Sequence, residues 1–177
     1  MAEEKKERWL NYLALTTVIL AVCATLSTFK GGGFSTRSVM SQTQASDQWA
    51  YFQAKSIKSY IYEMQKDKLE LELKTAGKMS PQLAAEFAKK IDEYAQKSKK
   101  YETEKNEIQA EAKRFEQVRN DAQNHSQIFG IAVIYLQIAI LLSSIAALIK
   151  KKAVWLIGIC LGLVGVTYFL NGFFLFF

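Results

Sequence analysis

One proline, one histidine and two cysteines occur in 177 residues, and each scarcity excludes something. A lone histidine, His125, with two distant cysteines leaves no Cys/His cluster at metal-ligand spacing, so no metal and no other cofactor is expected. Cys23 and Cys160 fall inside apolar runs, at different depths, which argues against a disulfide between them. The single proline, Pro81, leaves long stretches in which nothing interrupts a helix. Charge is also missing in blocks. "WLNYLALTTVILAVCATLSTF" (Trp9 to Phe29), "IFGIAVIYLQIAILLSSIAALI" (Ile128 to Ile149) and "AVWLIGICLGLVGVTYFLNGFFLFF" (Ala153 to Phe177) contain no Asp, Glu, Lys, Arg or His. Each exceeds the ~18 residues that mark a membrane-spanning helix. Proton and ion pathways normally need ionisable groups within the membrane, so their absence argues against a pump or coupled transporter. A channel built by several copies stays compatible with it.

What is present fits an all-α integral membrane protein. Three transmembrane helices accompany a long extramembrane hairpin, an antiparallel coiled coil. Residues 1–8 form a cytoplasmic N-terminus and 9–29 the first span. The hairpin covers 30–127, with arms at about 41–75 and 81–127. The second span, 128–149, continues the second arm. A basic loop at 150–152 leads to the third span, 153–177. The first run has full membrane length, so it reads as a signal anchor, not a cleaved signal peptide. "KGGGF" (Lys30 to Phe34) is expected to break the helix and act as a joint. "TAGKMSPQL" ends one arm and starts the next, with Gly77 at C′, Ser80 as N-cap and Pro81 at N1. From Pro81 one helix should run to about Ile149, roughly 100 Å at 1.5 Å per residue.

The net charge of +6 gathers largely in "EEKKER" and "IKKKA". It marks membrane flanks, and no nucleic-acid partner is expected. Lys150, Lys151 and Lys152 make the whole link between the last two spans, and a short basic loop points to the cytoplasm. Trp9 and Trp155 anchor that interface. The hairpin then faces outward.

The second arm repeats Phe87, Tyr94, Tyr101, Ile108, Phe115 and Ala122 every seven residues. A mostly polar companion row holds Ile91, Ser98, Lys105, Ala112 and Arg119. A hairpin turning near Lys78 pairs residues whose numbers sum to about 156. The first arm has two apolar stripes at 100° per residue. Trp49, Ile57, Tyr60, Ile61 and Met64 lie on the broad one, with Ala50, Ala54 and Leu71, and are expected to face the second arm. Tyr51, Tyr62, Leu69 and Leu73 form the narrow one, expected to face another copy. Four glycines of the third span, Gly158, Gly162, Gly165 and Gly172, share one face, and "GICLG" is a GxxxG pattern. Small residues let helices approach closely, whether within the chain or between copies. His125, in "NDAQNHSQ", reads as part of a solvated helix face.

"ASDQWAYFQAKSIKSYIYE" (Ala45 to Glu63) resembles the signature of the bacterial membrane-protein family known as domain of unknown function 4337. The preceding span, the glycines and the two closing spans are similar to that family too. The resemblance implies a three-span bacterial membrane protein with a coiled-coil middle, and no activity or catalytic residue. The functional expectation is a non-enzymatic, self-assembling membrane scaffold of the bacterial inner membrane, in contact with the bilayer and with its own copies. An accessory subunit of a larger envelope complex, bound to a partner protein, is the second expectation, and an oligomeric channel a weaker third.

Overall fold

The computed structural model describes residues 8–77 and 79–176. The basic residues before Arg8, the expected turn at Lys78 and the terminal Phe177 lie outside them. Among the described residues the chain is entirely helical: α1 is Arg8–Thr75, α2 is Pro81–Ile149 and α3 is Lys152–Phe174. Each contains a stretch long and apolar enough to cross a membrane.

The glycine joint does not form. α1 runs through Gly31, Gly32 and Gly33 without interruption, and no described glycine has positive φ. Glycine costs about 1 kcal/mol per residue in a helix relative to alanine. Here the helix continues on both sides, so no new nucleus is required. Gly31 also has a packing reason. A Cβ there would sit 3.1 Å from Phe129 Cβ, and Ser126 Oγ donates to the Gly31 carbonyl at 3.0 Å. The same φ finding removes Gly77 as a left-handed C′ residue. Ser80 does cap α2: its Oγ accepts from Leu83 N–H at 3.3 Å, and Ala84 N–H closes the first turn on Ser80 O at 3.0 Å.

The contacts divide the chain into two compact units, residues 8–40 with 119–176, and Ser41–Val118. In the first unit the three helices surround a core of Leu20, Ala24, Ala132, Leu136 and Ala139. α3 lies against α2 on its glycines. A Cβ on Gly158 would stand 3.4 Å from Ser143 Oγ, one on Gly165 2.8 Å from Leu136 Cγ, and one on Gly172 2.7 Å from Phe129 Cε1. The glycines climb in steps of seven while their partners descend in steps of seven. This is an antiparallel seam in which Gly165 and Gly172 receive the Leu136 and Phe129 side chains, while Gly158 also lies against the Ala139 carbonyl and Leu142 Cβ. Gly162 meets α1 as well, with Leu20 Cδ2 3.0 Å and Ala139 Cβ of α2 3.5 Å from its added Cβ. Of the two settings open to the glycine face, within the chain or between copies, it is occupied within the chain.

The turn from α2 to α3 needs no glycine. Lys150 takes φ 53°, and Lys151 N–H closes on Ala146 O at 3.3 Å, the pairing of a Schellman end. The end of α3 is held by Asn171, which is 1% exposed. Its carbonyl accepts from Leu175 N–H at 2.8 Å, and its Oδ1 accepts from Phe176 N–H at 2.6 Å.

In the second unit the α1 and α2 arms run antiparallel. Ser59 Oγ lies 3.2 Å from Ser98 Oγ, Lys105 Nζ sits over the Phe52 ring, and Tyr62 meets Tyr94. These pairs fall within a few residues of the expected register. The first unit keeps it as well: Ser38 Oγ donates to Arg119 O at 3.2 Å.

Candidate functional site

The described part of the chain is arranged as three long helices. Among the described residues no three His, Cys, Asp or Glu side chains are placed to hold a metal ion, and Cys23 and Cys160 are both free. What it offers is helix faces, and they differ sharply in composition.

The inner face of the α1 arm is not the broad apolar stripe. Ile57, Tyr60, Ile61 and Met64, expected against α2, are 59%, 59%, 49% and 70% exposed. Tyr62, Leu69 and Leu73, expected to face another copy, are half-buried, and Tyr62 stacks on Tyr101 at 5.7 Å. Only Trp49 keeps its place. Its Nε1–H donates to Glu116 Oε1 at 2.9 Å. Helical side chains lean toward their own N-terminus, so in an antiparallel pair Trp49 and Glu116 lean toward each other. Tyr51 stays half exposed at 51% and carries the Lys55 ammonium over its ring at 5.2 Å.

The inversion has a physical cause. The α2 face that meets α1 holds Ser98, Glu104 and Lys105 beside its aromatic rings. Packing Ile57, Ile61 and Met64 there would take the Lys55 ammonium away from Glu104 and the Ser59 hydroxyl away from Ser98. As it is, Lys55 meets Glu104 and Ser59 meets Ser98, while Lys105 pairs with Glu102 of its own helix. Lys55 Nζ bonds to Glu104 Oε2 and sits over Tyr101 at 5.1 Å. Lys97 Nζ lies over Tyr62 at 5.2 Å. The ring faces are negative, so each ammonium is attracted to the ring beneath it. The Glu104 carboxylate hydrogen-bonded to Lys55 raises the lysine's pKa, and Lys55 in turn lowers that of Glu104. Glu93, bonded by Lys90 and Lys97, is held at about 2. On α2, Ile108 is buried and Phe87, Tyr94, Tyr101 and Phe115 are half-buried.

A sequence signal for this face exists and was missed. Buried or half-buried positions of α1 recur at alternating spacings of four and three from Leu13 through Leu20, Ala24, Ser27, Gly31, Ala45, Ser59 and Tyr62 to Leu73. The row is made mostly of small and polar residues, so a search for large apolar ones passes over it. Gly31 belongs to this row.

The outer faces complete the picture. Along the outer side of the α2 arm, Lys89, Lys99, Lys100, Lys113 and Arg114 are exposed. Along that of the α1 arm an exposed apolar stripe, Ile57, Ile61, Met64 and Leu71, runs beside exposed Lys58, Glu63 and Lys68.

Two junctions of the first unit concern expected site residues. Trp9 and Trp155 lie together, ring centroids 6.1 Å apart. Lys152 Nζ stands over Trp9 at 5.9 Å, and Trp155 Nε1–H donates to Thr16 Oγ1 at 3.2 Å. Lys150 and Lys151 are exposed in the adjoining turn, and Lys152 opens α3. His125 is not on a solvated face: it stacks on Phe34 at 4.4 Å. Its Nδ1 lies 2.8 Å from the Gly172 carbonyl. A carbonyl only accepts, so Nδ1 carries the proton. His125 thereby ties α1, α2 and α3 together.

Residues 9–175 match the family described as Domain of unknown function (DUF4337). The match spans nearly the whole chain, and the chain belongs to that family. No curated protein and no solved structure matches it.

Proposed function

We propose that this DUF4337 chain is a non-enzymatic membrane scaffold that spans the bilayer three times and assembles with its own copies through a protruding coiled-coil hairpin. One observation carries this most directly: hydroxyl after hydroxyl in the apolar segments is bonded inside the chain. Ser27 donates to Cys23 O at 2.8 Å, Thr25 to Ala21 O at 2.9 Å, Ser143 to Ala139 O at 2.9 Å and Thr167 to Leu163 O at 2.9 Å. Asn171 is consumed in ending α3. Groups bonded to their own helix backbone serve packing in lipid and leave little to carry a substrate. The exposed apolar face of the hairpin supplies the reason to assemble. Light scattering of the detergent-purified protein should give a discrete multiple of the 20.1 kDa chain mass. A monomer would sink the scaffold reading. An oligomer obtained only with a second protein would favour the accessory-subunit alternative.

For orientation we take the Lys150–Lys152 turn as cytoplasmic, with the hairpin outside, in a bacterial inner membrane. The basic turn is the shortest connection and the one to which charge counting applies most directly. A phosphatase reporter fused after Phe177 should be active outside the membrane. A reporter that works only in the cytoplasm reverses this orientation.

A further inference from the structure

Resting on the scaffold reading above, we infer that the outer seam of the α1 arm is where copies meet, side by side and parallel. The seam consists of Ala50, Ala54, Ile57, Ile61, Met64 and Leu71, all exposed. With Lys68 counted between Met64 and Leu71 it follows alternating spacings of four and three, which makes a straight stripe only on a helix wound at 3.5 residues per turn. Lipid or a flat protein surface places no such demand, whereas a second helix of the same winding does.

Composition says that something covers it. The two helices of one hairpin meet the same solvent on their outer sides. α2 presents Lys89, Lys99 and Lys113 there, while α1 presents Ile57, Ile61, Met64 and Leu71 at 59%, 49%, 70% and 62% exposure. With Tyr60 beside them, the uncovered surface over two copies is on the order of 1,000 Å², where specific interfaces begin. Anchoring in one membrane raises the effective concentration, so an interface of that size suffices.

Geometry names the occupant. Copies inserted in one bilayer stand in the same direction and at the same height. Ile57 of one copy then faces Ile57 of the other, and Met64 faces Met64, with no sliding needed. A different protein would have to reproduce both the winding and the height. Lys68 fits the same arrangement. It falls within the seam, flanked by Asp67 and paired with Glu72 at 3.8 Å. A charged residue in a seam with carboxylates beside it costs stability and fixes the register.

The test is disulfide cross-linking in native membranes. The starting chain carries Cys23→Ser and Cys160→Ser, and Ile57→Cys or Met64→Cys is added singly. Mild oxidation should give a covalent dimer at least ten-fold more abundant than from Lys89→Cys or Lys113→Cys on the α2 outer face. Dimers from the α2 positions and not from the seam overturn the inference, as do seam adducts with an unrelated protein. Light scattering of the same preparations separates the two levels. An oligomer without seam cross-links overturns the α1 interface and leaves the scaffold standing, whereas a monomer overturns both. Ile57→Lys with Met64→Lys, at exposed positions that leave the hairpin intact, should reduce the oligomer to the monomer. An unchanged oligomer counts against the seam.

Discussion

Phe129→Ala should be the most damaging single substitution in the chain, at about 3 kcal/mol or more. Phe129 is fully buried and is a point where all three helices meet. Its ring packs on Phe34 at 6.0 Å, Phe169 at 6.3 Å and Phe173 at 5.0 Å. Its side-chain atoms lie against Gly31 and Gly172, which have no Cβ to fill the space left behind. In an apolar surrounding little is gained by removing a ring from water, so the loss is mainly of packing. A cavity between three helices cannot collapse without moving all three, which places the cost toward the upper part of the usual range. Phe129→Leu should recover about half of it. Phe29→Ala, at a residue 76% exposed, should change stability by less than about 0.5 kcal/mol. Thermal unfolding followed by near-ultraviolet circular dichroism reads all three. A loss below about 1 kcal/mol for Phe129→Ala would mean that the helices do not converge there.

Gly165→Ala should cost about 2 kcal/mol net, roughly 4–8 °C in the unfolding midpoint for a chain of this size. The added methyl would sit 2.8 Å from Leu136 Cγ and 3.0 Å from Leu136 N. A side-chain tip could rotate away, but a backbone nitrogen moves only if α3 lifts off α2. Overpacking of this kind costs about 1–3 kcal/mol, and the better helix propensity of alanine returns at most about 1. Gly32→Ala isolates that second contribution. Nothing lies within 4 Å of its added Cβ, and its φ is not positive. It should be neutral or stabilising by up to about 1 kcal/mol. Equal effects of the two substitutions would sink the glycine seam.

The contrast within one residue type shows what a sequence can and cannot say. The glycines of the third apolar run share a face, and that was readable from their numbers. Which other face they meet was not. The GxxxG pair Gly158 and Gly162 drew attention first, yet Gly158 meets α2 alone whereas Gly162 lies between Leu20 of α1 and Ala139 of α2. The working repeat is Gly158, Gly165 and Gly172, matched by Ser143, Leu136 and Phe129. His125 is a similar case. Its neighbours in sequence are polar, whereas its neighbours in space are Phe34 and a carbonyl of α3.

The sequence by itself determined the elements. Three charge-free runs, one proline with its Ser80 cap, and a seven-residue aromatic repeat are local signals, and they specify three apolar segments, the hairpin break and its register. The continuity of α1 through Gly31–Gly33, and the choice between its two faces, came only with tertiary structure. Helix breaking is a propensity of about 1 kcal/mol per residue, and packing against Phe129 and Ser126 outweighs it. Facing is a matching problem: Lys55, Ser59 and Tyr62 turn inward because Glu104, Ser98 and Tyr101 are there to receive them. The more hydrophobic stripe is left outside, and hydrophobicity alone would have placed it within.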